Sequence, residues 1–503
     1  MLAPLRERFG RGTARLRRLL FENRSTRQTI AKNMFWLSFG QIAGRLIRAS
    51  VIIYAARVLG AADYGVFSYA LGLAGFFTIF ADVGINSILT REVSQKPAER
   101  SQYFATALWI KFGLLLATTA LVVFVAPFFS KIEAARALIP FVALLTIFDG
   151  IREFVNSFLR ALERMELEAF ANTVTNVAIT AAGFIILSFS ATAYSLTMVY
   201  ALAGSVGALF AVFLLRKEFR GAFSNFRRSL LRPLITAALP IALMGLLGAF
   251  MLNTDMIMLG WLRTPEELGF YSSAQKIVQV LYVIPGILAS AIFPVLARLI
   301  GQARHRDVRT LMERTITAAF LVAIPLTIGG AVLAKPIMSF LYGAEYIPGA
   351  AAFQFLIATT LIAFPGTLVG NLILAYNKQK SVVWGVALGS IGNIAFNALL
   401  IPILGIMGAA IATVIAQFLS NGYMWHVIRK TNQFETFSHL KKIVAAGIIM
   451  GVCAGILNVL GIHVLATIAA AGLIYAGLLW LLKEPAVAEL MALKQAIQPK
   501  PEI

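Results

Sequence analysis

Gln41, Arg45 and Arg48 are polar side chains in a stretch, about Asn33 to Arg57, that is otherwise apolar and helical in pattern. Their spacing, i, i+4, i+7, places all three on one face of a helix. Arg45 lies ~12 residues into the stretch, which at ~1.5 Å per residue is ~18 Å from its start. That depth is close to the middle of a ~30 Å hydrocarbon core. A guanidinium there costs at least ~2.5–3.5 kcal/mol on insertion scales, so this face must look into a wet or polar interior. Arginine holds phosphate oxygens through paired hydrogen bonds. The chemistry expected of the face is capture of an anionic solute that crosses the membrane.

Four further stretches carry polar side chains at helical spacing: Thr78, Asp82 and Asn86; Asp149, Arg152, Glu153, Asn156 and Arg160; Asn172, Asn176 and Thr180; and Ser272, Gln275, Lys276, Gln279 and Tyr282. Lys111 stands alone in a third apolar stretch, ~10 Å from the cytoplasmic edge by helical rise, within near reach of that edge. An intramembrane acid can carry a proton, or pair with arginine in one conformation and release it in another. Asp82, Asp149, Arg152 and Glu153 are therefore the candidates for ion coupling or gating. Gln41, Arg45, Arg48, Lys276 and Gln279 are the candidates for substrate binding. Plainer roles compete at several positions. Asn172, Asn176, Asn393 and Asn397 suit bonds between helices, Arg160 suits snorkelling from a helix end, the Asp149–Arg152–Glu153 cluster could serve only to fix helix packing, and Asp255 falls near an outer rim.

The elements that position these groups are apolar. The chain has 503 residues, 59% hydrophobic and 13% charged, with a mean hydropathy of +0.81. A soluble protein has ~25% charged residues, so the fold class is an all-α polytopic membrane protein. About fourteen apolar stretches of spanning length recur, near 33–57, 66–90, 104–129, 137–159, 168–190, 193–215, 233–259, 269–297, 314–334, 350–375, 381–402, 406–428, 443–461 and 464–482. The basic N-terminus and the long apolar run after it read as an uncleaved first span rather than a signal peptide.

The net charge is +21, but its distribution excludes nucleic acid as the explanation. Alternating the loops between two sides puts nearly the whole surplus on the side of the N-terminus and leaves the other side neutral. This is the positive-inside pattern. It predicts a multi-pass protein of the cell (inner or plasma) membrane with both termini cytoplasmic and an even number of spans. The basic segment 1–32 acts in this reading as a topology determinant.

The loop 216–232 divides the chain. Segment 33–232 forms one six-span lobe, 233–430 a second, and 431–503 a final pair of spans with a tail. The lobes are faintly self-similar. Leu59–Ala70 after the first span matches Leu262–Ala274 after the seventh, each a turn, an acidic residue, then glycine and aromatics opening a helix. Six spans separate the equivalents, which makes the repeat parallel, with binding expected at its interface. Prolines at 285, 325 and 365 interrupt spans eight, nine and ten and permit kinks or hinges.

Catalytic signatures are lacking. The sequence contains no P-loop, nucleophile elbow, zincin helix or channel filter, and its outer loops are too short for a glycan polymerase or ligase. A lone Cys453 and four scattered histidines offer no disulfide and no metal-ligand spacing. The chain is expected to be no enzyme and to need no cofactor.

Arg57-Val58-Leu59-Gly60-Ala61-Ala62-Asp63-Tyr64-Gly65, continuing to Asp82-Val83-Gly84-Ile85 and Thr90-Arg91-Glu92, resembles the LG…YG…D-[LV]-G…RE pattern of bacterial polysaccharide (O-antigen type) flippases. These belong to the multidrug/oligosaccharidyl-lipid/polysaccharide exporter superfamily. The resemblance implies two six-helix lobes around a central cavity plus a C-terminal helix pair. It implies alternating-access movement of an undecaprenyl-pyrophosphate-linked oligosaccharide from the cytoplasmic to the outer leaflet, coupled to an ion gradient or the membrane potential. It also implies partners in the lipid bilayer, the lipid-linked oligosaccharide and other polysaccharide-assembly proteins. Related peptidoglycan-lipid flippases carry cations in spans one, two and eight; here Arg45, Arg48 and Lys276 occupy spans one and eight, and span two offers Asp82. A peptidoglycan-lipid flippase and a drug/cation antiporter are the alternatives on the same fold, and the antiporter would want a more acidic interior.

Overall fold

The computed structural model describes residues 26–435 and 440–484. The expected basic segment lies mostly before residue 26, and the tail lies mostly beyond residue 484, so both fall largely outside the described residues. The described residues are predominantly helical, joined by short turns, and contain no strands. The long helices are α1 (Thr26–Phe77), α2 (Ile85–Gln95), α3 (Arg100–Phe124), α4 (Ile139–Ala161), α5 (Met165–Phe189), α6 (Ala193–Leu214), α7 (Leu231–Leu262), α8 (Pro265–Leu281) and α9 (Val283–Gly301). They continue as α10 (His305–Val332), α11 (Ala334–Tyr342), α12 (Ala350–Ala358), α13 (Thr360–Ala375), α14 (Gln379–Leu404), α15 (Ile406–Arg429), α16 (Lys441–Val459) and α17 (Val464–Leu481).

Among the described residues, eleven helical segments are long and apolar enough to cross a membrane. The expected first, second and fourth spans are not among them. The first and fourth carry Arg45 and Arg48 and the Asp149–Arg152–Glu153 cluster, which lower their apolar signal, and the second is cut short by the turns that hold Asp82.

Three expected spans, the second, eighth and tenth, are not single helices, the tenth being divided between α12 and α13 at Thr359. The first runs unbroken into the start of the second within α1, with a bend between them at Gly60, whose φ of 72° lies in the left-handed region that glycine adopts without a Cβ penalty. The second is interrupted by turns over 78–84 before α2 begins. Thr78, Asp82 and Asn86 therefore do not share one continuous helical face. The eighth splits at Tyr282 into α8 and α9. Pro285 lies four residues after Leu281, the last residue of α8. Its ring and missing N–H disrupt the helical bond to that position.

The chain divides into two compact units. One holds the described residues up to Val58 together with Ala70–Leu246; the other holds Leu59–Tyr69 together with the described residues from Leu247 on. In the first, Ile88, Leu89, Phe104, Phe154, Phe158 and Leu234 belong to one buried apolar cluster. In the second, a cluster includes Leu296, Met312, Ile316, Phe364, Leu368 and Ile443. The last helix pair packs into that unit. A Cβ added at Gly447 or Gly451 would lie 2.7 or 2.4 Å from Ile324 or Ile328 of α10, and the Tyr475 hydroxyl donates to the Leu321 carbonyl at 2.9 Å.

The two repeat segments meet inside the second unit. A Cβ at Gly65 would stand 1.9 Å from the Pro265 carbonyl oxygen, and one at Gly269 would stand 2.0 Å from that of Ala61. Ala61-xxx-Gly65 and Pro265-xxx-Gly269 thus cross reciprocally, backbone on backbone, as small-xxx-small pairs allow. The α1 segment entering this crossing is capped by Glu345, whose Oε1 accepts from the Ala61 N–H at 2.9 Å. Opposite it, Thr264 and Glu267 form a capping box that starts α8.

Candidate functional site

The face of α1 that carries Gln41, Arg45 and Arg48 packs against α5 because α1 presents glycines there. A Cβ at Gly40 would come within 3.0 Å of Ala169, and one at Gly44 within 2.5 Å of the Asn176 side chain. Beside this close approach lies an open cavity of about 210 Å³ lined by Trp36, Gln41, Arg45, Arg48, Glu168, Asn172 and Asn176 among others. It is smaller than the ~300–1,000 Å³ typical for a drug-sized ligand, so it suits a headgroup rather than a whole glycan lipid. All three residues of the opening stripe line it.

Within the cavity wall, Arg48 Nε donates to Asn176 Oδ1 at 3.0 Å. Asn176 Nδ2 donates to the Asn172 carbonyl at 2.8 Å. The Asn172 side chain accepts from Asn156 Nδ2 at 3.2 Å, and the same Nδ2 reaches Glu153 Oε1 at 3.2 Å. Asn172 and Asn176 therefore do bond between helices, as their spacing suggested, and they also line the cavity.

Arg160 does not simply snorkel. Its guanidinium spans Glu153 at 3.4 Å and Glu168, whose Oε2 accepts from Nε at 2.9 Å. Glu168 is buried, with only 4% of its side chain exposed. Lys32 is not a free basic residue of the N-terminal segment either: it is buried and pairs with Glu166 at 3.1 Å. Arg152 pairs with Asp149 at 2.9 Å, and its Nε and Nη1 are buried without a hydrogen-bond partner among the described residues. The fourth-span cluster is thus two ion pairs with different neighbours.

Asp82 precedes α2, where its Oδ1 accepts from the Asn86 N–H at 3.1 Å. Val83 and Gly84 follow at φ 46° and 79°. A β-branched residue there is strained. Gly84 is required twice, by its φ and because a Cβ would meet Ile241 at 2.8 Å. Lys111 Nζ lies 3.8 Å from Asp82 Oδ1, with 2% of its side chain exposed. Lys111 is therefore neither alone nor snorkelling. Gly150 of α4 faces it, with a built Cβ 3.7 Å from Lys111 Cε.

The remaining candidates lie in the second unit. Lys276 Nζ donates to Gln279 Oε1 at 3.3 Å. Asp255, expected at an exposed rim, is buried. Tyr271 donates its hydroxyl to Asp255 Oδ2, and Gln275 Nε2 donates to the same oxygen at 3.0 Å. Asp255 Oδ1 is buried without a hydrogen-bond partner among the described residues. On α14, Asn397 Nδ2 donates to Asn393 Oδ1 at 3.0 Å, a bond within one helix rather than between helices. The eighth-span stripe therefore serves several neighbours: Gln275 turns to Asp255, Lys276 to Gln279, and Tyr282 pairs with Thr359.

Sequence spacing missed Glu168 and misjudged the surroundings of Lys111 and Asp255. Glu168 carries no warning beyond an acid placed eight residues after Arg160. Lys111 has no stripe of its own, and its partner comes from a turn. Asp255 could have been found from Tyr271 and Gln275, an i, i+4 pair of hydrogen-bond donors on the next helix. No group of histidine, cysteine and carboxylate side chains among the described residues is arranged to hold a metal ion.

The family model described as "Polysaccharide biosynthesis protein" matches residues 30–300, and the model "MatE" matches residues 240–399. A protein named probable low-salt glycan biosynthesis flippase Agl15, from Haloferax volcanii, is 22% identical over 77% of this chain and 81% of its own length. A putative O-antigen transporter from Shigella flexneri is 21% identical over 63% of this chain and 78% of its own. Among solved structures, the lipid II flippase MurJ in an inward closed conformation superposes with a TM-score of 0.74 at 17% identity, covering 90% of this chain and 99% of that one. This last likeness concerns the fold.

Proposed function

Since the chain belongs to the polysaccharide biosynthesis protein family, a transporter family of the exporter superfamily and not an enzyme family, we propose that it flips an undecaprenyl-pyrophosphate-linked oligosaccharide from the cytoplasmic to the outer leaflet of the cell membrane. The observation that carries this reading is the cavity between α1 and α5, where Arg45, Arg48 and Gln41 stand together. Two guanidinium groups can share a pyrophosphate by charge-assisted hydrogen bonds. Glu168 and the asparagines of α5 offer acceptors and donors for the first sugar. The glycan itself stays outside a cavity of this size, which fits a carrier that accepts varied sugars on one common headgroup.

Asp82, Asp149, Arg152 and Glu153 are the proposed coupling or gating groups. Each is ion-paired, so protonation or exchange of partners would alter the packing of α2 and α4. Lys276 and Gln279 are proposed as further substrate-binding groups, on α8 of the second unit. Both termini are proposed to be cytoplasmic. The test is deletion of the gene: the lipid-linked glycan should accumulate in the inner leaflet and reach the surface again when the wild-type chain is restored. Normal surface glycan without accumulation would contradict the reading.

A drug/cation antiporter is the second reading, favoured by the MatE match over the second half. The cationic cavity opposes it, and drug efflux that depends on Asp82 or Asp255 would revive it.

A further inference from the structure

We propose that Asn176 is a positioning residue for Arg48 and that Gly44 is the space that lets it act; the inference rests on the proposed pyrophosphate site. Arg48 uses Nε for Asn176 Oδ1, at 3.0 Å. That bond leaves the two Nη groups as the end of the guanidinium that can meet an anion. A guanidinium held by one edge loses little freedom on binding with the other, which is the advantage of a pre-organised group.

The Asn176 amide is itself oriented. Its Nδ2 is committed to the Asn172 carbonyl at 2.8 Å, so Oδ1 is the atom turned to Arg48. An amide with only one of these bonds could flip and present a donor to a donor. The Asn172 side chain is tied in turn to Asn156, and Asn156 to Glu153. The orienting bonds therefore run from α1 through α5 to α4 within one unit.

Gly44 supplies the room. A Cβ there would lie 2.5 Å from Asn176 Nδ2 and 3.4 Å from its Cγ. The first distance is too short for any real side chain, so alanine at position 44 must push the amide away. The displaced amide would break the Nε bond without touching Arg48 or Asn176 chemically. Gly44 and Asn176 are thus two independent handles on one geometry, placed on different helices.

Asn176 is a better partner here than a carboxylate. Aspartate at 176 would pair with Arg48 as an ion and cancel the charge offered to the substrate. The neutral amide fixes direction and leaves the charge intact. This distinguishes positioning from the ion pairs of the same unit, such as Arg160 with Glu168.

The experiment measures binding of inorganic pyrophosphate to the full-length purified protein in detergent, with thermal unfolding as the control for folding. N176A and G44A should each weaken binding about tenfold, the loss of a hydrogen bond to a charged group. N176D should weaken it further. R48K removes Nε, so adding N176A to R48K should change binding by less than about twofold, the signature of coupling in a double-mutant cycle. A structural role for Asn176 would instead weaken both backgrounds equally and lower the unfolding temperature. If R48A weakens binding but N176A and G44A bind as the wild type does, the positioning inference is overturned and the site stands. If R45A and R48A bind as the wild type does, or the wild type binds no pyrophosphate, the site reading fails and this inference falls with it.

Discussion

Lys111 and Asp82 form an ion pair in which Lys111 is almost wholly buried and Asp82 keeps 27% of its side chain exposed, at 3.8 Å. The carboxylate also accepts from the Asn86 N–H at the start of α2. It therefore joins α3 to the strained turn at Val83 and Gly84. Removing Asp82 leaves an ammonium buried without its counter-charge, whereas removing Lys111 leaves an acid that still reaches solvent. D82N should destabilise the protein more than K111M does, though by less than the ~3–5 kcal/mol of a fully buried pair. The double variant D82N/K111M should recover part of the loss. Unfolding temperatures of the purified protein check the order.

The reciprocal crossing of Ala61-xxx-Gly65 with Pro265-xxx-Gly269 makes a second prediction. Alanine at 65 or 269 would drive a Cβ into a backbone carbonyl at 1.9 or 2.0 Å, and backbone yields less readily than a side-chain tip. G65A and G269A should each destabilise the protein by at least the ~1–3 kcal/mol of an overpacked site. G113A, with nothing within 4 Å, should leave the unfolding temperature unchanged. Equal behaviour of all three variants would show that the crossing is not tight.

Lys276 tests whether the second unit also binds an anionic headgroup. Losing a charged hydrogen bond to pyrophosphate, worth ~1.5–3 kcal/mol, should weaken pyrophosphate binding by K276Q about tenfold or more. Unchanged binding would confine the headgroup to the α1–α5 cavity.

Topology has its own check. An enzyme reporter active only outside the cytoplasm should work when fused near Lys131 and fail near Asn225. The reverse result would invert the charge reading.

Much of the fold was legible because its signals are local. Eleven of the expected spans coincide with helical segments of spanning length and apolarity in the described residues, and the motif residues prove to have physical jobs: Gly60 bends the chain at positive φ, Gly65 permits the crossing, and Asp82-Val83-Gly84 builds the turn before α2. The Gln41–Arg45–Arg48 stripe was legible too, since i, i+4, i+7 spacing survives in an unbroken helix. What the sequence hid were partners. Glu168 meets Arg160 across a helix turn, Lys111 meets Asp82 across a broken span, and Asp255 is buried under Tyr271 and Gln275. Periodicity says which residues share a face and is silent on what the face meets. The second span also misled, because apolar composition over 66–90 conceals a turn that only positive φ at 83 and 84 reveals.

The central claim is that Arg45 and Arg48 hold the anionic headgroup of a glycan lipid during its passage. Its most direct measurement is surface glycan in cells whose only copy of the protein is R45A/R48A, with membrane levels matched to the wild type. The account predicts loss of surface glycan and accumulation of the lipid-linked precursor in the inner leaflet. Normal surface glycan at equal protein level would contradict it.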